Sequence, residues 1–321
     1  MSIEKLLVAN RGEIAIRILR AAADLGIPTV AVYAGDEAAS LHLSKADEAV
    51  ALPGRGVPAY LDGAAVLAIA QEKNCDAIHP GYGFLSENAD FANACGQAGV
   101  AFVGPGAETL DMFGDKAAAR DLAEKNGVPV LPGSQGATDL GAAEAFFDIH
   151  GPTMIKAIGG GGGRGMRAIL DKRDLAAALE LCQAEALQAF GNGDVFVERL
   201  LEKPRHVEIQ IIGDGSGAIC HLGERECSIQ RRHQKLVEMA PAPGLASDLR
   251  DKLTEAAVTL AGAVDYRNLG TFEFLLAGDD FFFIEANPRL QVEHTVTEEV
   301  WGVDLVQTQL HIAGGASLAE L

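Results

Sequence analysis

At 321 residues the chain is long for one domain, so two or three lobes, each with its own core, are expected. Asp plus Glu, 45, against Lys plus Arg, 26, gives a net charge of −19, which excludes general nucleic-acid or anionic-membrane binding but leaves room for a local basic pocket. The five scattered cysteines form no CxxC pair, no signal-peptide core opens the chain, and no apolar run nears about 18 residues, which together predict reduced thiols and a cytoplasmic location.

In chain order, residues 5–9 read as a short apolar strand, followed by Asn10-Arg11-Gly12, a periodic helix over 13–25 and a strand over 28–33. Further strands are expected near 49–52, 76–79 and 100–103. Strand, turn, helix and strand signal right-handed parallel units, so residues 1–115 are expected to form a Rossmann-like α/β lobe. VANRGEIAIR has no GxGxxG, so dinucleotide binding is not supported. HPGYGFLSEN (79–88) follows a strand end, where open α/β sheets place ligands; Gly81 and Gly83 permit unusual backbone angles, and Tyr82 and Glu87 are candidates to face a cleft. A structural loop with a helix cap at Ser86 is an equally good alternative.

Residues 116–199 are expected to form a small lid: a helix, the VPVLPG break, a second helix, and a strand over 154–157 entering the five glycines at 159–163. Ordering five glycines is entropically costly, and amides unshielded by side chains can surround phosphate oxygens, so with Lys156 just before it the loop reads as a phosphate clamp. It is not a Walker loop, for GK[ST] is absent.

After a helix over 175–190 and a strand over 194–198, residues 204–212 (PRHVEIQII) alternate strictly, predicting a half-buried antiparallel strand with His206, Glu208 and Gln210 on its polar face. Another strand is expected over 218–224. Arg231, Arg232, His233 and Lys235 then crowd together, a solvated loop or, near carboxylates, an anion pocket. Residues 271–276 (TFEFLL) and 281–294 (FFFIEANPRLQVEH), joined by GDD, form a plausible hairpin bringing Glu273 beside Glu285. Glu285 and Asn287, two apart on a strand, aim oxygens at one spot, which suits a hard cation such as Mg²⁺ or Mn²⁺.

LVANRGEIAIRI, HPGYGFLSEN, FVGP, GDK, GGGGGRGMR, PRHVEIQ, RRHQK, GTFEF and NPRLQVEH occur in an order and at spacings that resemble the biotin carboxylase component of biotin-dependent carboxylases, within the ATP-grasp superfamily. The resemblance runs from end to end. It implies a Rossmann-like pre-ATP-grasp lobe (1–115), an ATP-grasp lid (116–199) and an ATP-grasp C-terminal lobe (200–321), α/β and α+β in class. Lys116 and Lys156 then correspond to phosphate lysines, with Gly162, Gly163 and Met166 from the loop. The segment Glu198, Arg199 to Leu201 is similar to the one that reads adenine, with arginine where relatives often have lysine. His206, Gln230, His233 and Leu275 complete the nucleotide side, and Glu273, Glu285 and Asn287 correspond to the metal ligands.

Bicarbonate is a weak nucleophile toward phosphorus, so an enzyme must hold it with cations, deprotonate it and align it with the γ-phosphate. The resemblance assigns the cations to Lys235 and Arg289, the cradle to Gln291 and Val292, and the base to Glu293. Carboxyphosphate then yields CO₂ and phosphate, phosphate takes the biotin ureido proton, and biotin captures CO₂, with Tyr82, Gly83 and Glu87 facing this cleft. Implied partners are ATP, bicarbonate, a biotin carboxyl carrier domain, the carboxyltransferase domain of a larger carboxylase, and a second copy of the chain. Family members extend beyond residue 321 and carry there an arginine assigned to the biotin enolate, so this chain is expected to be a fragment that binds MgATP but carboxylates biotin poorly. The strand-end sequence is similar to pyruvate carboxylases and long single-chain acyl-CoA carboxylases, with a lean toward the latter. The alternatives are a carbamoyl-phosphate-forming ATP-grasp ligase, against which HPGYGFLSEN and RRHQK argue, and an ATP-binding module without turnover.

Overall fold

A computed structural model describes residues 3–134, 136–158, 165–232 and 234–321. Apolar triplets and GxP-type breaks set up the first lobe: β1 (Leu6–Val8), α1 (Gly12–Asp24), β2 (Thr29–Tyr33), β3 (Glu48–Ala51), α2 (Val57–Tyr60), α3 (Gly63–Glu72), β4 (Ala77–His79), α4 (Ala89–Gln97), β5 (Ala101–Phe102) and α5 (Ala107–Gly114). The strands lie parallel in the order β3-β2-β1-β4-β5. Alternation splits β1: Leu6 and Val8 pack with Ile14, Ile18 and Leu19 of α1, whereas Leu7 packs with Val30, Val32 and Ile78 on the other face.

The second lobe comprises α6 (Lys116–Lys125), α7 (Leu140–His150), β6 (Thr153–Ala157), β7 (Met166–Ile169), α8 (Leu175–Phe190) and β8 (Val195–Arg199). Its sheet, ordered β7-β6-β8, is antiparallel, and Ile155, Ile169, Val195 and Val197 bury one face under α7 and α8. Helix α6, which opens this stretch of sequence, packs Ala119 and Ala123 into the core of the C-terminal sheet instead.

The third lobe is β9 (Arg205–Asp214), β10 (Ile219–Arg231), β11 (Gln234–Met239), α9 (Ser247–Gly262), β12 (Arg267–Ala277), β13 (Asp280–Asn287), α10 (His294–Trp301) and α11 (Leu305–Ala313). The antiparallel order β11-β10-β9-β12-β13 puts Val207, Ile209 and Ile211 beside Phe272, Phe274 and Phe283, all against Leu253, Ala257 and Leu260 of α9. Helix α11 returns to the first lobe, where Leu305, Val306 and Leu310 join the α1 core.

Two expectations are corrected here. β9 is not half-buried: Glu208 and Gln210 are as inaccessible as Ile209, because β9 is the central strand and its polar face is covered by other side chains. The cap of α4 is Asn88, whose side chain accepts from Phe91 N–H at 2.8 Å, while Ser86 is buried three residues before the helix. No disulfide joins the five cysteines, and among the described residues no helix is long and apolar enough to cross a membrane.

Candidate active site

The face of the C-terminal sheet turned away from α9 carries His206 and Glu208 from β9, Thr271 and Glu273 from β12, and Glu285 and Asn287 from β13. Register then makes a line: Arg225 pairs with Glu208, Glu208 with Glu273, and Glu273 with Glu285. One guanidinium and three carboxylates thus cross four strands in a row. Neighbouring unit charges about 5 Å apart repel by roughly 3 kcal/mol at an effective dielectric of 20, so such a row stands only with cations set against it.

Arg225, fully buried, supplies one. It donates to Glu208 Oε1 at 2.5 Å, to Gln210 Oε1 and Thr297 Oγ1 at 2.8 Å each, and to Thr271 Oγ1 at 3.1 Å. Lys235 supplies the second. Its Nζ donates to Glu208 at 2.5 Å, Glu293 at 2.7 Å and Glu273 at 2.9 Å. Burial lowers the proton affinity of Lys235, but Glu273, Glu208 and Glu293 outweigh it and hold the ammonium well above the ordinary range. The same contacts, against burial, hold Glu273 and Glu293 below the usual carboxylate range. His206 Nε2 lies 2.6 Å from Glu273, while Gln230 Nε2 meets His206 Nδ1 at 2.7 Å, which assigns the ring proton to Nε2.

Glu285, at the other end of the row, has its carboxyl pushed up by burial and then by Glu273. Asn287 donates to Glu273 Oε1 at 2.8 Å and presents Oδ1 to Arg289 Nη2 at 3.0 Å. Two facing glutamates and an amide oxygen at this end of the row fit a hard divalent cation. Two other groupings bring three ligand atoms within 4.8 Å, His206–Glu208–Glu273 and Glu208–Cys227–Glu293, but the Lys235 ammonium already sits on their carboxylates. Lys235 donates to Glu273 as well, so what sets the Glu273–Glu285–Asn287 end apart is Glu285, the carboxyl at the far end of the row from Arg225.

Arg289 is held from several sides: Nη1 donates to Gln291 Oε1 at 2.9 Å, Nη2 to Asn287, and Nε lies 3.3 Å from Glu87. Glu293 stands at the N-cap position of α10, and its side chain accepts from Lys235 and makes no capping bond to the helix. Val292 stands exposed at the rim.

Opposite this floor lies the lid sheet. Register puts Met154, Lys156, Met166, Phe196 and Glu198 on one face, because Lys156 pairs with both Met166 and Phe196 while Met154 pairs with Glu198. A cavity of about 760 Å³ separates the two faces. Lys116, Arg199, Leu201 and Leu275 also line it, as do Gln230, Gln291, Val292 and Glu293. Lys116 begins α6, and burial lowers its proton affinity, with Glu285 partly opposing. The cavity thus joins apolar surface suited to a flat base with a dense set of cations and carboxylates suited to a polyphosphate.

Gly162, Gly163 and His233 lie outside the described residues. Tyr82, Gly83 and Glu87 do not line the cavity. Their loop reaches it through the Glu87–Arg289 ion pair, and its backbone is fixed by Asn10 Nδ2, which donates to Pro80 O at 2.7 Å and Tyr82 O at 2.8 Å. Gly81 is required there: at φ +67, an added Cβ would lie 3.0 Å from Asn10 Nδ2 and 3.1 Å from Ile14. The cationic run separates, Lys235 turning inward and Arg231 and Arg232 staying exposed off the cavity. Sequence reasoning missed Glu208 and Arg225 as members of the row and Arg120 as a wall residue. The only early signal was the polar alternation of 206, 208 and 210.

The family model described as biotin carboxylase, N-terminal domain, matches residues 2–110, and that described as carbamoyl-phosphate synthase L chain, ATP binding domain, matches residues 115–321. A pyruvate carboxylase of Bacillus subtilis is 55% identical over 322 residues, 99% of this chain and 28% of the relative. A biotin carboxylase–β,γ-ATP complex from Campylobacter jejuni superposes with a TM-score of 0.95 at 43% identity, covering 99% of this chain and 72% of that one. The biotin carboxylase domain dimer of Hydrogenobacter thermophilus 2-oxoglutarate carboxylase, solved with MgADP, ADP and bicarbonate, gives 0.96 at 43% identity, covering 99% and 71%. The chain spans 28% of the length of the curated relatives it matches.

Proposed function

The chain belongs to the biotin carboxylase family, and from that premise we propose that it uses ATP and bicarbonate to carboxylate biotin on a carrier domain, through carboxyphosphate. This is the first half-reaction of a larger, cytoplasmic carboxylase that also carries a carboxyltransferase unit. The observation that carries the reading is the position of Lys235, one ammonium shared by Glu208, Glu273 and Glu293 on the floor of a cavity roofed by Lys156.

In this reading Met166, Leu201 and Leu275 contact the base, backbone of 198–201 reads its edge, and Lys116, Lys156 and His206 face the phosphates. Gly162, Gly163, Gln230 and His233 complete that set. Glu273, Glu285 and Asn287 would hold Mg²⁺ or Mn²⁺, which when bound neutralises charge on the triphosphate. Lys235 and Arg289 hold bicarbonate, the planar fork of Arg289 matching a planar anion, with Gln291 and Val292 at its side. Glu293, kept ionised by Lys235, accepts the bicarbonate proton as a bicarbonate oxygen attacks the γ-phosphorus and ADP departs. Carboxyphosphate releases CO₂ and phosphate, phosphate takes the ureido proton, and the biotin nitrogen bonds to CO₂, with Tyr82, Gly83 and Glu87 at the mouth. The Bacillus relative is a pyruvate carboxylase, which supports pyruvate as the acceptor of the whole protein over the acyl-CoA group.

The test is ATP hydrolysis by the chain with and without bicarbonate, then with free biotin. Bicarbonate-dependent hydrolysis stimulated by biotin is expected. Hydrolysis indifferent to bicarbonate would reject the reading, and bicarbonate dependence without any biotin response would favour another bicarbonate-activating ligase.

A further inference from the structure

Glu198 is buried in the lid wall and meets two cations, Lys156 and, at 3.7 Å, Arg120 Nη1. The two are anchored differently. Arg120, on α6, is fixed at its other end, where Nη2 donates to Leu131 O at 2.6 Å. Its channel is tight: a Cβ on Gly133 would lie 3.0 Å from Arg120 Nη2 and 3.2 Å from Val197 O, and the 131–134 segment is itself bonded to β8 through Arg199 N–Pro132 O and Ser134 N–Val197 O, both 2.8 Å. Arg120 therefore spans two lobes, from the helix beside β13 to the strand that carries Glu198. Among the described residues Lys156 has no such second anchor. It is a point charge on a flexible stem, on the lid face that looks into the cavity.

We propose that Arg120 is a positioning residue that keeps Glu198 neutralised while Lys156 leaves it for the polyphosphate of a bound nucleotide. The inference rests on the reading of the cavity as a nucleoside triphosphate site and adds to it a resting partner for Lys156. A buried carboxylate cannot lose its sole cation without a large penalty. With Arg120 in place Glu198 keeps a partner, and Lys156 exchanges one anion for another. Without Arg120, Glu198 holds Lys156 and the nucleotide must compete for it. The relation is specific to ligands with β- and γ-phosphates, which the lysine can reach, and not to the base.

The experiment is calorimetric titration of the full chain with MgATP, and separately with AMP, for wild type, Arg120→Met, Glu198→Gln and the double variant. Arg120→Met is expected to weaken MgATP about tenfold or more and AMP by less than about twofold, since the lost term is a charge-assisted contact to the outer phosphates. The double variant is expected to regain MgATP affinity, because a neutral amide no longer retains Lys156. Glu198→Gln alone, which keeps Arg120 and the backbone of 198–201 that faces the base, is expected to bind MgATP more tightly than wild type, because Lys156 is released to the phosphates. The inference is overturned if Arg120→Met leaves MgATP binding unchanged, if AMP weakens in step with MgATP, if Glu198→Gln fails to restore the double variant, or if Glu198→Gln alone fails to tighten MgATP. Wild-type protein that binds no MgATP overturns the nucleotide reading as well, and that result is seen before any variant is compared.

Discussion

Glu273 and Glu285 stand opposite one another on paired strands, both turned to the cavity, with Glu208 continuing the same line on β9. Lys235 compensates the Glu208 and Glu273 end directly, while the carboxyl of Glu285 is driven up by burial and by Glu273. Glu285→Gln should therefore relieve repulsion in the empty protein and raise its melting temperature by about 2 °C, the shift of roughly 1 kcal/mol in a chain of this size. The same variant should lose the stabilisation that wild type gains from Mg²⁺ plus ATP. Thermal melts with and without MgATP measure both; a lower melting temperature for the empty variant would contradict the repulsion.

Lys235 and Glu293 can be told apart. Lys235→Met leaves three buried carboxylates without their shared ammonium and should cost about 3–5 kcal/mol of stability in urea unfolding. Glu293→Gln keeps two of those pairs and should fold normally, bind MgATP within about threefold, and lower bicarbonate-dependent turnover by about 10²–10⁴-fold, the range of a lost general base. Equal loss of MgATP binding and turnover in Glu293→Gln would remove it from that role.

Arg225 is the structural end of the row, with partners on β9 and β12 and in α10. Arg225→Met should destabilise by about 3–5 kcal/mol, since Glu208 Oε1, Gln210, Thr271 and Thr297 lose their shared buried donor and Lys235 alone remains on Glu208. Combining it with Glu208→Gln should cost less than the sum of the two singles by at least about 1 kcal/mol. Additive losses would mean the pair is not coupled.

His79 sets an acid limit. It is wholly buried at the end of β4, its Nδ1 accepting from Gly81 N–H at 3.0 Å, and burial pulls its pKa from 6.5 down to about 3 despite Gln309, with Arg17 and His294 adding in the same direction. The folded protein keeps the ring neutral while the unfolded chain protonates it. Its contribution is therefore whole above pH 6.5 and is lost as the pH falls toward 3, at about 1.4 kcal/mol per pH unit. Unfolding free energies of wild type and His79→Gln from pH 7.5 to 4.5 should diverge in slope by that amount, the variant being flatter. Parallel slopes would show that the ring titrates in both states.

The parts that could be read from sequence are those set by local pattern. GDD between two apolar strands made the β12–β13 hairpin legible, as the strand, turn and helix rhythm did the parallel lobe, but the turn register alone would set Glu273 opposite Ile284, and it is a β-bulge between Phe274 and Glu273 that brings Glu285 to face it. Glu208 was seen on a polar face but not placed in the row, because its pairing with Glu273 spans a stretch that contains β10, β11 and α9. Arg225 lies in a run, ERECS, whose charges look like an exposed edge until β9 and α10 enclose it. Arg120 looked like an ordinary polar helix residue, since its partners on 131 and 198 come from two other segments. Ser86 and Asn88 are both good caps, and only the backbone path decides between them.

The central claim is that a bicarbonate oxygen attacks the terminal phosphorus of ATP between Lys235, Arg289 and Glu293. It is tested most directly by supplying ¹⁸O-labelled bicarbonate and reading the phosphate released by mass spectrometry. If carboxyphosphate forms, the phosphate retains an oxygen from bicarbonate, and the label in it disappears with Glu293→Gln turnover. Phosphate whose new oxygen comes from water would contradict the account.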